Sequence, residues 1–99
     1  MAIKAYVLLK VSSGTEREVC RKISDFDEVL DVSIIFGEFD IILKLSVNGL
    51  DSLETFLSEN IRSIRDERGE PSVVLTSTMI VAREYKGIAK RNALKANNF

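Results

Sequence analysis

The apolar residues of this chain repeat with two periods, and the order in which the periods follow one another leaves few folds open. Ile3, Ala5, Val7, Leu9 and Val11 alternate with Lys4, Tyr6, Leu8 and Lys10, the period of two that predicts a strand with one wholly apolar face. Val19, Ile23 and Phe26 then repeat at four and three, the stripe of a short helix. Before them, Ser13-Gly-Thr-Glu16 has the spacing of a capping box, in which hydroxyl and carboxylate satisfy free backbone donors at a helix start. Alternation returns over Val29–Phe36 and Phe39–Val47, with Gly37-Glu38 between them as a two-residue hairpin turn. Leu50, Leu53, Phe56, Leu57, Ile61 and Ile64 make a second helical stripe, opened by Asp51-x-x-Glu54 and ended by Gly69 and Pro71. Val73 to Ala82 reads as a fourth strand. The order β-α-β-β-α-β predicts an α+β, ferredoxin-like fold: a four-stranded antiparallel sheet with both helices on one face.

Helices on one face leave the other to water, and here that other face is not polar enough. Tyr6, Leu8, Ile35 and Ile42 are expected on it, together with Val74, Thr76, Thr78 and Ile80 of the last strand. Each large aliphatic left wet forgoes about 1.5–3 kcal/mol of burial, and a cluster of them marks an interface. Sheet-to-sheet pairing into a twofold dimer is the simplest solution. The expected dimer interface is Tyr6, Leu8, Ile35, Ile42, Val74 and Ile80.

Composition narrows the chemistry. Ninety-nine residues suffice for one domain, and the net charge of −1 gives no global attraction to nucleic acid or an anionic membrane. There is no histidine, which removes the commonest general base and zinc ligand together, so no metal, cofactor or catalytic residue is expected. Cys20 is the single cysteine; it sits beside the first helical stripe as a buried, inert thiol, and with no intrachain disulfide a reducing, cytoplasmic setting is expected. The start, Met-Ala-Ile-Lys, runs directly into a strand with no secretory pattern.

Two segments carry a resemblance. Gly37-Glu-Phe-Asp40 continues as Ile-Ile-Leu-Lys, and Val73-Val-Leu-Thr76-Ser-Thr78-Met-Ile-Val81 forms the last strand. In this element order they resemble the effector, or RAM, domain of the Lrp/AsnC regulators, with its Gly-x-x-Asp turn and Thr-x-Thr final strand. Ser72 stands where that family usually has glycine. The resemblance covers residues 3 to 85, and the first strand follows Met1 directly, so a stand-alone form without the helix-turn-helix DNA reader is expected. It implies a cytoplasmic module of transcription regulation, paired through its sheets and joined further into tetramers, octamers or rings. It also implies co-assembly with full-length Lrp-type regulators, and no direct DNA or membrane binding.

The resemblance implies a free amino acid as effector at the junction between dimers, with Gly37, Glu38, Phe39, Asp40, Thr76, Ser77 and Thr78 as ligand-binding residues. Asp40 suits the ammonium; the Gly37 amide and the hydroxyls of Thr76 and Thr78, which share a side of the strand, suit the carboxylate, with Ser77 on the opposite side. Each also has a plainer role: Gly37 in the turn, Asp40 as an edge charge, threonines as ordinary strand residues. Two other functions compete. A small dimeric enzyme of this fold would have to work through Asp31, Asp40 or Tyr6, and a sheet-bound nucleic acid would want exposed aromatics, of which Tyr6 is nearly alone. Residues 1–85 form the domain and 86–99 a basic tail. From Arg83 onward five basic residues face one acid, a net +4, against −5 for residues 1–82. Such a tail can seek nucleic acid or fold back on an acidic body, its own or a neighbour's, and a short helix is expected over Gly87–Ala96.

Overall fold

The computed structural model describes residues 2–89. Its elements are β1 (Ile3–Val11), α1 (Glu16–Ser24), β2 (Val29–Ile34), β3 (Ile41–Val47), α2 (Leu50–Phe56, continued by a π-helical turn over Leu57–Ile61) and β4 (Val73–Ile80). The strands form one antiparallel sheet in the order β2-β3-β1-β4, the ferredoxin-like arrangement that the two periods predict. The tail helix expected over 87–96 falls for the most part outside the described residues.

Alternation places the core as expected. Ala5, Val7, Leu9 and Val11 of β1 and Ile41, Leu43, Leu45 and Val47 of β3 are buried beneath Val19 and Ile23 of α1 and Leu53, Phe56, Leu57, Ile61 and Ile64 of α2 and its continuation. Phe26 and Phe56 meet edge to face, centroids 5.4 Å apart at 88°, and join the ends of the two helices. Such a geometry adds about 0.5–1.5 kcal/mol beyond area burial.

Both edge strands are bulged. The β2–β3 register jumps between Val29 and Asp31, and the β1–β4 register jumps between Lys10 and Val11, whose partners are Leu75 and Val73. The extra residues, Leu30 and Val74, turn outward and are 48% and 66% exposed. A bulge breaks the even row of edge hydrogen-bonding groups that would otherwise recruit a stray strand.

The second bulge overturns the expected phase of β4. One inserted residue exchanges the two faces of everything beyond it. Thr76, Thr78 and Ile80 therefore stand opposite Leu9, Val7 and Ala5, on the helix side, whereas Leu75, Ser77 and Met79 stand opposite Lys10, Leu8 and Tyr6 on the open side. Ile80 is not on the open face, and Val74, the inserted residue, has no partner on β1 to fix its side; Leu75 and Met79 are the open-face aliphatics of β4. The helix layer does not reach over this edge, so Thr76 is only half-buried, Thr78 is exposed and Ile80 is 51% exposed.

Three local expectations are also corrected. The β2–β3 connection is not a two-residue turn but a six-residue loop, 35–40, closed by the Ile35 amide donating to the Asp40 carbonyl at 2.8 Å. Ile35 thus leaves the strand, and its place on the open face is no longer set by alternation. Neither capping box forms. The Thr15 amide and hydroxyl both donate to the Ser12 carbonyl, Thr15 becomes the N-cap of α1, and Glu16 Oε1 is left buried without a partner. Gly49 caps α2, which puts Asp51 inside the helix.

Candidate functional site

The loop 35–40 is built into the end of the sheet. Gly37 has φ +154°, a backbone conformation that side chains rarely adopt. The Asp40 amide donates to the Leu9 carbonyl, and Asp40 Oδ2 accepts from the Val11 amide at 2.9 Å, satisfying β1 just beyond its last pair with β3. Lys10 Nζ donates to the Glu38 carbonyl at 2.9 Å and holds the loop from the open side. Asp40 therefore has a structural role with one oxygen; Oδ1 accepts no hydrogen bond among the described residues. Glu38 is exposed, Phe39 half-buried and Phe36 fully exposed.

Across β1, Thr76 is paired with Leu9, and its Oγ1 accepts from Arg62 Nη2 at 3.2 Å. Thr76 and Thr78 do share a side, with Ser77 on the other. Asp40 and Thr76 thus flank the same end of one strand, roughly two strand spacings or about 10 Å apart. They share an end of the sheet. None of four surface cavities of 200–350 Å³ is lined by any of Gly37, Glu38, Phe39, Asp40, Thr76, Ser77 or Thr78. Ser72 is buried, donates its amide to the Ile64 carbonyl and accepts at its own carbonyl from the Ser12 amide. Its backbone has no positive φ, so the serine costs no left-handed strain.

The open face has two zones. Leu8 and Ile42, paired across β1 and β3, are half-buried beside Leu75 (53% exposed) and Met79 (45% exposed). Toward the other end a polar cluster gathers on Tyr6, Lys4 and Lys44. After Val81, whose amide donates to the Lys4 carbonyl, the chain crosses this face and Glu84 ion-pairs with Lys4 at 3.1 Å, with Lys44 and with Lys86. The hydrogen bond from Lys44, then that from Lys4, holds the Glu84 carboxyl down at about 2. Lys44 Nζ also lies 5.5 Å from the Tyr6 ring centroid, and its own pKa is raised, chiefly by Glu84. A cavity of 200 Å³ opens beside them, lined by Tyr6, Asp31, Ser33, Ile42, Leu43 and Lys44. Sequence reasoning did not assign Glu84 or Arg62. A single acid in a basic tail is a weak signal, and nothing local distinguishes Arg62.

Cys20 is half-buried against the core, and burial, then the Glu16 carboxylate, pushes its thiol upward, away from the reactive thiolate. No helix among the described residues is long and apolar enough to cross a membrane.

Comparison with known proteins agrees with this architecture. The HTH-type transcriptional regulator FL11 of Pyrococcus abyssi is 32% identical over 82 residues, covering 83% of this chain and 50% of FL11, so the chain spans about half the length of that relative. The crystal structure of hypothetical protein PHS023 from Pyrococcus horikoshii superposes with a TM-score of 0.72 at 34% identity, covering 86% of this chain and 94% of PHS023. The L-Met complex of the transcriptional regulator NMB0573 from Neisseria meningitidis shares the fold at a TM-score of 0.70 and 17% identity, covering 86% of this chain and 53% of that protein. The model of the Lrp/AsnC ligand binding domain matches residues 4–88. With the βαββαβ order, the Gly37–Asp40 loop and the Thr76–Thr78 strand in place, the chain belongs to the Lrp/AsnC family through its ligand-binding domain.

Proposed function

We propose that this domain is an amino-acid-responsive regulatory module, which pairs sheet to sheet and holds a free amino acid where two such pairs meet. The observation that carries the reading is the position of the Gly37–Asp40 loop and Thr76. They flank one end of β1, offering a carboxylate oxygen and a hydroxyl of suitable chemistry, yet line none of those four cavities. A second copy is needed to enclose a ligand there. The open-face aliphatics, exposed Leu75 and Met79 beside half-buried Leu8 and Ile42, supply the reason for copies to associate. NMB0573, crystallised with L-Met, supports a free amino acid as the ligand class.

The ligand would act by preferring one assembly state over another, since only differential affinity shifts such an equilibrium. Because the matched regulators are about twice as long as this chain, co-assembly with them through like sheet faces belongs to the proposal. On this reading the domain regulates transcription, works in the cytoplasm and is not an enzyme. Thermal shift against the twenty amino acids tests it. A true effector at one hundred times its dissociation constant stabilises by about 2.7 kcal/mol, and a protein indifferent to the whole panel would remove the sensing role.

A further inference from the structure

Arg62 is placed by an irregularity that the core does not require. Leu53, Leu57, Ile61 and Ile64 have spacings that an ordinary α-helix satisfies. The backbone nevertheless makes a π turn, with the Arg62 amide donating to the Leu57 carbonyl, five residues back, at 2.9 Å. One extra residue in this last turn sets back the residue that leaves it, Arg62, by roughly 100° about the axis. Arg62 Nη2 then reaches the Thr76 hydroxyl of β4 at 3.2 Å. The π turn closes the helix, and Arg62 is its C-cap.

The guanidinium is otherwise uncommitted: among the described residues no carboxylate forms a salt bridge with Arg62, which is exposed. A planar fork beside a rotatable hydroxyl, with no anion supplied by the protein, matches a carboxylate. We propose that Arg62, steered onto Thr76 by the π turn, anchors the α-carboxylate of the amino-acid effector. This rests on the function proposed above and assigns the opposite pole of the ligand from Asp40.

The experiment measures dissociation constants for the twenty free L-amino acids and their α-carboxamides on the full chain, with R62Q and R62K beside the wild type. Charged hydrogen bonds of this kind correspond to about 10- to 100-fold in affinity. R62Q is expected to lose that factor for the acid that binds best while binding its carboxamide unchanged, and R62K, a point charge without the fork, to fall between. The substitution is at the surface, so unchanged melting without ligand verifies the fold. If the wild type binds its amino acid and R62Q binds it equally well, or if acid and carboxamide bind the wild type alike, Arg62 is not the anchor. A wild type that binds none of the twenty overturns the sensing role itself, and this assignment with it.

Discussion

Lys44, in the middle of β3, donates to the carboxylate of Glu84, forty positions along the chain, across the open face of the sheet. Lys4 of β1 donates to the other carboxylate oxygen at 3.1 Å, so one acid fastens the segment after β4 to two neighbouring strands.

This clip should be visible in the pH dependence of stability. The Glu84 carboxyl is lowered from an ordinary 4.5 to about 2, so it is ionised more readily folded than unfolded. Its contribution is full above pH 4.5 and is lost as pH falls through 2. In urea titrations E84Q should be less stable than the wild type at neutral pH, the gap closing below pH 4.5 and vanishing near 2. A gap that stays constant with pH would mean that Glu84 contributes nothing through its charge.

The β4 register separates interface residues from bystanders. L8D or I42D places a carboxylate among the open-face aliphatics and should turn the assembled protein into folded monomers, as read by light scattering and circular dichroism. I80D should leave the mass unchanged, because the bulge takes Ile80 off that face. Dissociation by I80D with no effect of L8D would reverse the assignment of faces.

Asp40 has separable duties. D40A removes the acceptor of the Val11 amide and should cost about 1–3 kcal/mol, whereas D40N keeps an acceptor oxygen and should cost under about 1 kcal/mol. Chemical denaturation measures both. If Asp40 also receives the effector's ammonium, D40N should fold like the wild type yet lose ligand affinity.

Much of this architecture can be read directly from residues such as Val7, Leu9, Leu43 and Leu45, whose alternation runs unbroken and is buried as the period dictates. The family followed from Gly37, Asp40, Thr76 and Thr78, each a residue of little meaning alone. What escaped the reading is what local pattern cannot carry. Leu30 and Val74 are aliphatics in aliphatic runs, so nothing marks them as bulges, and a single inserted residue inverted the faces of β4. Ser13 and Glu16 have capping-box spacing, but the turn from Ser12 to Thr15, with Gly14 at φ +87°, satisfies the chain first. Phe36 and Phe39 continue the strand patterns into a loop whose closure depends on Ile35 and Asp40. Arg62 on Thr76 and Glu84 on Lys44 are contacts between distant residues, which only the fold brings together.

The most direct test of the account is the mass of the wild-type particle in solution, by light scattering over a range of concentrations. One chain weighs 11.1 kDa. Pairing through Leu8, Ile42, Leu75 and Met79 predicts at least twice that mass, persisting on dilution into the micromolar range. A particle of single-chain mass at every concentration, with those side chains in water, would contradict it.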